Sequence, residues 1–149
     1  MRIAVAADHA GYKLKARIIS SLRSQNILVE DMGAREYNPI DDYPDYVVPL
    51  INKLLVNQDA KGILICRNGV GVSVLANKFK GIRAALSWTE EHAKSSKIDD
   101  NTNVLALPAD YISEDQAIKI VEAWVNTPFS DEDRHLRRLA KVKDAENKI

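Results

Sequence analysis

Gly62-Ile63-Leu64-Ile65 is a continuous apolar run that stops at Cys66-Arg67-Asn68 and passes into the glycine turn Gly69-Val70-Gly71. A run of strand length without polar alternation suits a strand buried on both faces, and hence a parallel sheet covered by helices. From Val70 onward, Val70, Val74, Leu75 and Phe79 recur at helical spacing. Cys66 is therefore expected where a strand ends and a glycine turn feeds a helix. Gly69 and Gly71 permit positive φ and close backbone approach. The freed N–H groups of such a turn converge on one point with the positive end of a helix dipole behind them, so an anion is held there. That anion is either a phosphate or the oxyanion of an enediolate, which forms when a base removes a proton next to a carbonyl. Cys66 is a candidate for the base, because a thiol titrates at roughly 8.5 and a helix N-terminus lowers this. The alternative for a lone buried thiol is inert packing. Polar Arg67 and Asn68 directly after an apolar strand favour a functional loop. The spacing lacks the third glycine of a dinucleotide fingerprint, and no Gly-Lys-Ser/Thr follows as a P-loop requires.

The same alternation runs through the chain. Ile3 to Ala7 predicts a first strand ended by Asp8-His9-Ala10-Gly11, and Tyr12, Leu14, Ile18, Ile19 and Leu22 mark a helix. Ile27 to Glu30 predicts a short second strand, residues 31–41 a loop, and the segment from Tyr43-Pro44 a helix carrying Val47, Val48, Leu50, Ile51 and Leu54. Gly81 to Leu86 predicts a fourth strand, Thr89 to Lys97 a short helix, Asp99 to Thr102 a polar turn, and Asn103 to Leu107 a fifth strand. Ser113 and Gln116 cap a helix through Trp124, and Asp131 opens a last, highly charged helix. Strands alternating strictly with helices predict a Rossmann-like α/β domain with a five-stranded parallel sheet between two helical layers. Ligands of such folds bind beyond the carboxyl ends of the strands, where Asp8, His9, Cys66, Asn68 and the turn from Asp99 to Asn101 are expected to gather.

With 149 residues the chain reads as one domain spanning positions 1–149. Its 21 basic and 21 acidic residues cancel, so no overall field draws it to nucleic acid or to an anionic membrane. A single cysteine excludes an internal disulfide, the N-terminus begins a strand and not a signal peptide, and no apolar run reaches membrane-spanning length. These features predict a soluble, cytoplasmic protein.

Individual candidates each have an ordinary role beside the functional one. His9 is a ligand for phosphate or hydroxyl, or a turn histidine that helps cap a helix. Asp8 is an N-cap or a holder of sugar hydroxyls. Tyr43 contacts ligand or anchors its loop. Arg134 and Arg138 lie four apart and share a helical face, a pair of guanidinium forks suited to phosphate, or a solvated face paired with Asp131, Glu132 and Asp133. Leu136, Leu139 and Val142 on another side of that helix suggest that it also packs on an apolar surface, a second subunit being one candidate.

Asp8-His9-Ala10-Gly11, Asp42-Tyr43-Pro44, the stretch from Gly62 to Ser73, Ala76-Asn77-Lys78, Gly81-Ile82-Arg83-Ala84, Asn101 to Leu105 and the Arg134-His135 region occur in order over nearly the whole chain. Together they resemble the type B ribose-5-phosphate isomerase family, which also contains the subunits of galactose-6-phosphate isomerase. The resemblance implies a homodimer or tetramer with shared active sites and a C-terminal helix reaching a neighbouring subunit. It implies aldose–ketose isomerisation of a sugar phosphate with no metal and no cofactor. It makes Cys66 the base, and gives Asn68 with the amides of Gly69, Val70 and Gly71 the enediolate. Asp8, Tyr43, Ser73 and Asp100 would contact substrate, and His9, Arg134 and Arg138 would hold its phosphate.

Two departures stand out. Asp99-Asp100-Asn101 occupies the place where the family commonly has His-Asn-Asp, whose histidine is credited with opening the sugar ring. Asp99 could do that acid–base work with a raised pKa, the substrate could arrive open-chain, or ring opening is reduced. Asp110 stands where many members carry a phosphate-binding Arg, and Arg67 could restore that charge. These departures keep open an isomerase of a six-carbon sugar phosphate and a non-catalytic sugar-phosphate binding protein. A response-regulator-like switch would need paired acids, a phosphorylatable Asp and a Lys at the strand ends that here carry Asp8-His9, Cys66 and Pro108.

Overall fold

A computed structural model describes residues 1–57 and 59–148. Its elements follow the predicted alternation: β1 (Arg2–Ala7), α1 (Tyr12–Ser24), β2 (Leu28–Asp31), α2 (Pro44–Val56), β3 (Ala60–Cys66), α3 (Val70–Ala76), β4 (Ala84–Leu86), α4 (Glu90–Asp100), β5 (Val104–Pro108), α5 (Glu114–Asn126) and α6 (Asp133–Glu146). All pairings in the five-stranded sheet are parallel, in the order β2-β1-β3-β5-β4.

Because successive side chains of a strand point to opposite faces, the apolar runs divide between two cores. Ile3, Val5, Ile63, Ile65, Leu105 and Leu107 pack with α1 and α5, and Ala4, Ala6, Leu64, Cys66, Val104 and Ala106 pack with α2 and α3. This is the three-layer α/β/α arrangement expected. Trp124 closes the first core, 1 % exposed, its indole N–H donating to Thr102 Oγ1 at 2.9 Å. Burial of one such ring stabilises by about 3 kcal/mol, which the satisfied N–H preserves.

Several boundaries move. The second strand lies one residue later than expected, and the fourth is shorter because Gly81, at φ 81°, and Ile82 and Arg83 remain outside the ladder. The last helix starts at Asp133, two residues after Asp131. Thr89 caps α4, its hydroxyl accepting from the His92 amide at 3.2 Å, and Ser113 and Gln116 form the expected capping box of α5.

One shift changes the placement of a candidate residue. The expected turn over 99–102 is wrong at its start, because α4 continues through Asp99 and Asp100 and ends on Asn101 in the left-handed conformation, φ 46°. Since α4 runs antiparallel to the strands, those residues lie at the amino edge of the sheet. The α6 helix rests against α4 in its own chain, and the Glu146 carboxylate accepts from the Gly81 amide at 3.2 Å. Only His135 of α6 is buried, and Leu136 and Val142 stay half-exposed. Among the described residues no helix is long and apolar enough to cross a membrane.

Candidate active site

The order β2-β1-β3-β5-β4 reverses direction between β1 and β3, and the carboxyl ends of these two strands are the position of the ligand crevice in folds of this kind. Ala7 is in register with Ile65, which sets Asp8-His9 beside Cys66-Arg67-Asn68. Fifty-seven residues of intervening chain thus return to one point because two central strands pair.

Gly69 turns the chain in the left-handed conformation at φ 71°. A Cβ there would collide with the Leu86 side chain and approach the Leu107 carbonyl carbon at 3.1 Å, so the position demands glycine on both counts. A Cβ on Gly71 would come within 2.7 Å of the Tyr43 ring, which lies directly against the glycine turn. The Cys66 side chain is buried, 4 % exposed, at the end of the second core, with Sγ 3.9 Å from Asn68 Oδ1. That same Oδ1 accepts from the Val70 amide at 3.0 Å, so one of the expected anion-binding N–H groups is already bonded within the turn. The Ser73 hydroxyl donates to the Val70 carbonyl at 2.9 Å.

Across the crevice, Asp8 Oδ1 accepts from the Ala10 amide at 3.0 Å and the Gly11 amide at 3.3 Å, which closes the turn before α1. The N-cap of that helix is Gly11, without a side-chain bond, so the N-cap role considered for Asp8 is corrected to a turn-closing one. Burial raises its pKa, against the lowering effect of the Gly11 bond, the His9 ring and the Ala10 bond. His9 meets Asp41, the last residue of the loop expected over 31–41: Asp41 Oδ1 accepts from the His9 amide at 3.0 Å and lies 2.7 Å from ring Nδ1. Asp41 Oδ2 accepts from the Tyr46 hydroxyl at 2.9 Å. Lys15, itself buried, holds the start of that loop through Asp31 at 2.6 Å and the Ala34 carbonyl at 2.7 Å. Asp8, His9 and Asp41 bring ligand-type atoms within 4.8 Å of one another, a spacing a cation could bridge. Their facing atoms are, however, engaged with backbone amides and with each other.

Arg67 and Asp110, the two charge departures, are neighbours. The Asp110 amide donates to the Arg67 carbonyl at 2.9 Å, and the side chains pair at 3.5 Å while mostly exposed. Arg67 therefore offsets Asp110 first.

The remaining candidates do not join this cluster. Asp99 and Asp100 lie at the other edge of the sheet, and the expected gathering at the carboxyl ends is corrected accordingly. Asp99 Oδ1 is 3.5 Å from Nε2 of buried His135, whose Nδ1 is 2.6 Å from Ser130 Oγ. That contact places the first turn of α6, with Arg134, beside the end of α4. Arg134 pairs with Glu132 at 2.8 Å, and Arg138 is exposed one turn further on. One chain thus divides the candidates into two groups: Asp8, His9, Tyr43, Cys66, Arg67, Asn68, Gly69, Val70, Gly71 and Ser73 at the crevice, and Asp99, Asp100, Arg134 and Arg138 around the α4–α6 contact. Asp41, Tyr46 and His135 were missed; Arg134-His135 stood inside a recognised motif, but nothing in the order of residues links position 41 to position 9.

Residues 3–142 match the family described as Ribose/Galactose Isomerase. The chain is 40% identical over 140 residues to the probable ribose-5-phosphate isomerase B of Mycoplasma pneumoniae, covering 94% of this chain and 91% of that protein. It is 34% identical over 139 residues to the ribose-5-phosphate isomerase B of Mycobacterium tuberculosis, with 93% and 86% covered. The crystal structure of ribose-5-phosphate isomerase B from Mycoplasma genitalium with bound ribulose-5-phosphate superposes with a TM-score of 0.95 at 38% identity, over 99% of this chain and 97% of that one.

Proposed function

Because the chain belongs to the ribose/galactose isomerase family, we propose that it is a sugar-phosphate isomerase that interconverts ribose 5-phosphate and ribulose 5-phosphate through an enediolate. The observation that carries this reading is the crevice at the switch point, where Cys66, Asn68 and the left-handed turn at Gly69 face Asp8 and His9. The family description covers ribose and galactose, and the relative holding ribulose-5-phosphate favours five carbons.

Cys66 as thiolate takes the C2 proton of the open-chain aldose while the electron pair of that bond moves toward O1. Transfer of the O2 proton to O1 and return of the carbon-bound proton to C1 gives the ketose. The amides of Gly69 and Gly71 face the oxyanion, and Asn68, bonded to the Val70 amide, holds the turn in that shape. Tyr43, Asp8 and Ser73 contact the sugar, and His9 holds phosphate.

Arg134 and Arg138 complete the phosphate site from a second copy of the chain, with Asp99 and Asp100 beside the sugar ring. The division of the candidates between two edges of one sheet supports a shared site, as does the half-exposed apolar face of α6. A cytoplasmic homodimer, or a dimer of dimers, is the assembly proposed.

Incubation with ribose 5-phosphate in deuterated buffer tests the mechanism. Wild-type protein is expected to form ribulose 5-phosphate carrying solvent deuterium at C1, and Cys66→Ala to lose at least about a hundredfold in rate with an unchanged circular dichroism spectrum. Near-normal exchange by Cys66→Ala would remove the cysteine mechanism. Binding without any exchange by the wild type would make the protein a sugar-phosphate binder, and turnover confined to six-carbon phosphates would reassign the substrate.

A further inference from the structure

Asp41 sits on the loop between β2 and α2, yet its side chain is only 4% exposed. Its acceptor capacity is directed at one neighbour and that neighbour's support: Oδ1 toward the His9 amide at 3.0 Å and ring Nδ1 at 2.7 Å, Oδ2 toward the Tyr46 hydroxyl at 2.9 Å. Burial works against ionisation of this carboxyl, and the bonds from the His9 amide, the His9 ring and Tyr46 outweigh it, holding its pKa below the ordinary carboxylate value. An ionised carboxylate has no proton to give, so the proton between Asp41 and His9 resides on Nδ1. The tautomer of a histidine is set by the bond its other nitrogen makes, and here that bond leaves Nε2 as the outward nitrogen of a ring 26% exposed. A second proton on Nε2 makes an imidazolium whose charge is balanced in place by Asp41.

At the crevice this charge has little competition. Arg67 is paired with Asp110, and the arginines of α6 lie at the other edge of the sheet in the same chain. We infer that Asp41 is a positioning residue which, with Tyr46, holds His9 with Nε2–H presented to the phosphate of the substrate. His9, oriented by Asp41, then forms the part of the phosphate site that the Cys66 end of the chain supplies. The inference rests on the sugar-phosphate reading above.

Two measurements on the purified full chain test it. In steady-state kinetics with ribose 5-phosphate, Asp41→Ala is expected to raise KM about tenfold while kcat stays within about twofold, the scale of losing a residue that orients a histidine ligand. Asp41→Asn keeps an acceptor but not the charge, and is expected to fall between Asp41→Ala and wild type. An unchanged KM, or a fall in kcat at constant KM, would overturn the proposal, the latter by making the pair an acid–base catalyst. In the second measurement, nitrogen-15 spectra of the chain's three histidines are followed while inorganic phosphate is added. Wild-type His9 is expected to be protonated at Nδ1 and to respond to phosphate, and Asp41→Ala to need about ten times more phosphate for the same response. Equal phosphate affinity in the two proteins, or no His9 response in the wild type, overturns the proposal. If wild-type protein fails to isomerise ribose 5-phosphate, the functional reading falls, and this titration still decides the role of Asp41. If Asp41→Ala fails to fold, Asp41→Asn carries both comparisons.

Discussion

Asp8 shows how one side chain is held at a cost to the fold. Its carboxylate is 7% exposed, and burial raises its pKa despite two backbone amides and the neighbouring His9. For an acid whose folded pKa lies above its unfolded value of 3.8, the protonated form is favoured by folding. The resulting contribution to stability is present below that unfolded value and lost as pH rises through the folded pKa. At pH 7 the buried charge therefore weakens the protein. Asp8→Asn, which keeps an oxygen for the Ala10 and Gly11 amides, is expected to raise the melting temperature at pH 7 by about 3 °C, the equivalent of about 1 kcal/mol. The same change is expected to reduce kcat/KM for ribose 5-phosphate, because a carboxylate facing sugar hydroxyls accepts more strongly than an amide. Calorimetry and kinetics on one preparation check both. A variant less stable at pH 7 than at pH 3, relative to wild type, would contradict the sign.

Among the elements, α4 carries the clearest electrostatic signature. Near its C-terminal end Lys97 is buried, donates to the Thr102 carbonyl at 3.0 Å and lies 5.4 Å from the centre of the Trp124 ring. Burial, then the charges of Lys61 and Arg83, push its pKa from 10.5 down to about 8. The sign is opposite to a paired lysine: the charged form is disfavoured by folding, so the penalty is complete below about 8 and is relieved as pH rises toward 10.5. Urea titrations are expected to show wild-type protein gaining stability relative to Lys97→Met between pH 8 and pH 10. Parallel curves for the two proteins across that interval would refute the coupling. The same helix explains why Asp99 was misplaced. One further turn beyond Lys97 carries the chain to the amino edge, and residue order alone did not fix where a weakly amphipathic helix of charged residues stops.

At the scale of the whole molecule, the two clusters of candidate residues lie at opposite edges of one sheet, and under the shared-site reading proposed above a complete site takes residues from two copies. This makes complementation a direct test. Cys66→Ala damages the crevice, and Arg138→Ala damages the α6 contribution. If sites are shared, mixed dimers of the two variants contain one undamaged site of two. Refolding them together in equal amounts then restores about a quarter of wild-type turnover, since half the dimers are mixed. Activity no greater than the mean of the two separate variants would show each site to be built within one chain.

The residue order by itself determined the repeated strand–helix alternation, the parallel sheet, the glycine turn after Cys66 and the candidate role of Asp8-His9, because each depends on periodicity or on backbone freedom within a few residues. Tertiary structure alone decided which of these meet. The pairing of Ala7 with Ile65 brought Asp8 to Cys66. The return of a loop across 32 positions brought Asp41 to His9. The length of one helix sent Asp99 to His135 instead of to the crevice. Local chain preferences act over a turn or a strand, whereas these three meetings depend on the register and packing of segments far apart in the chain, which no short stretch of sequence encodes.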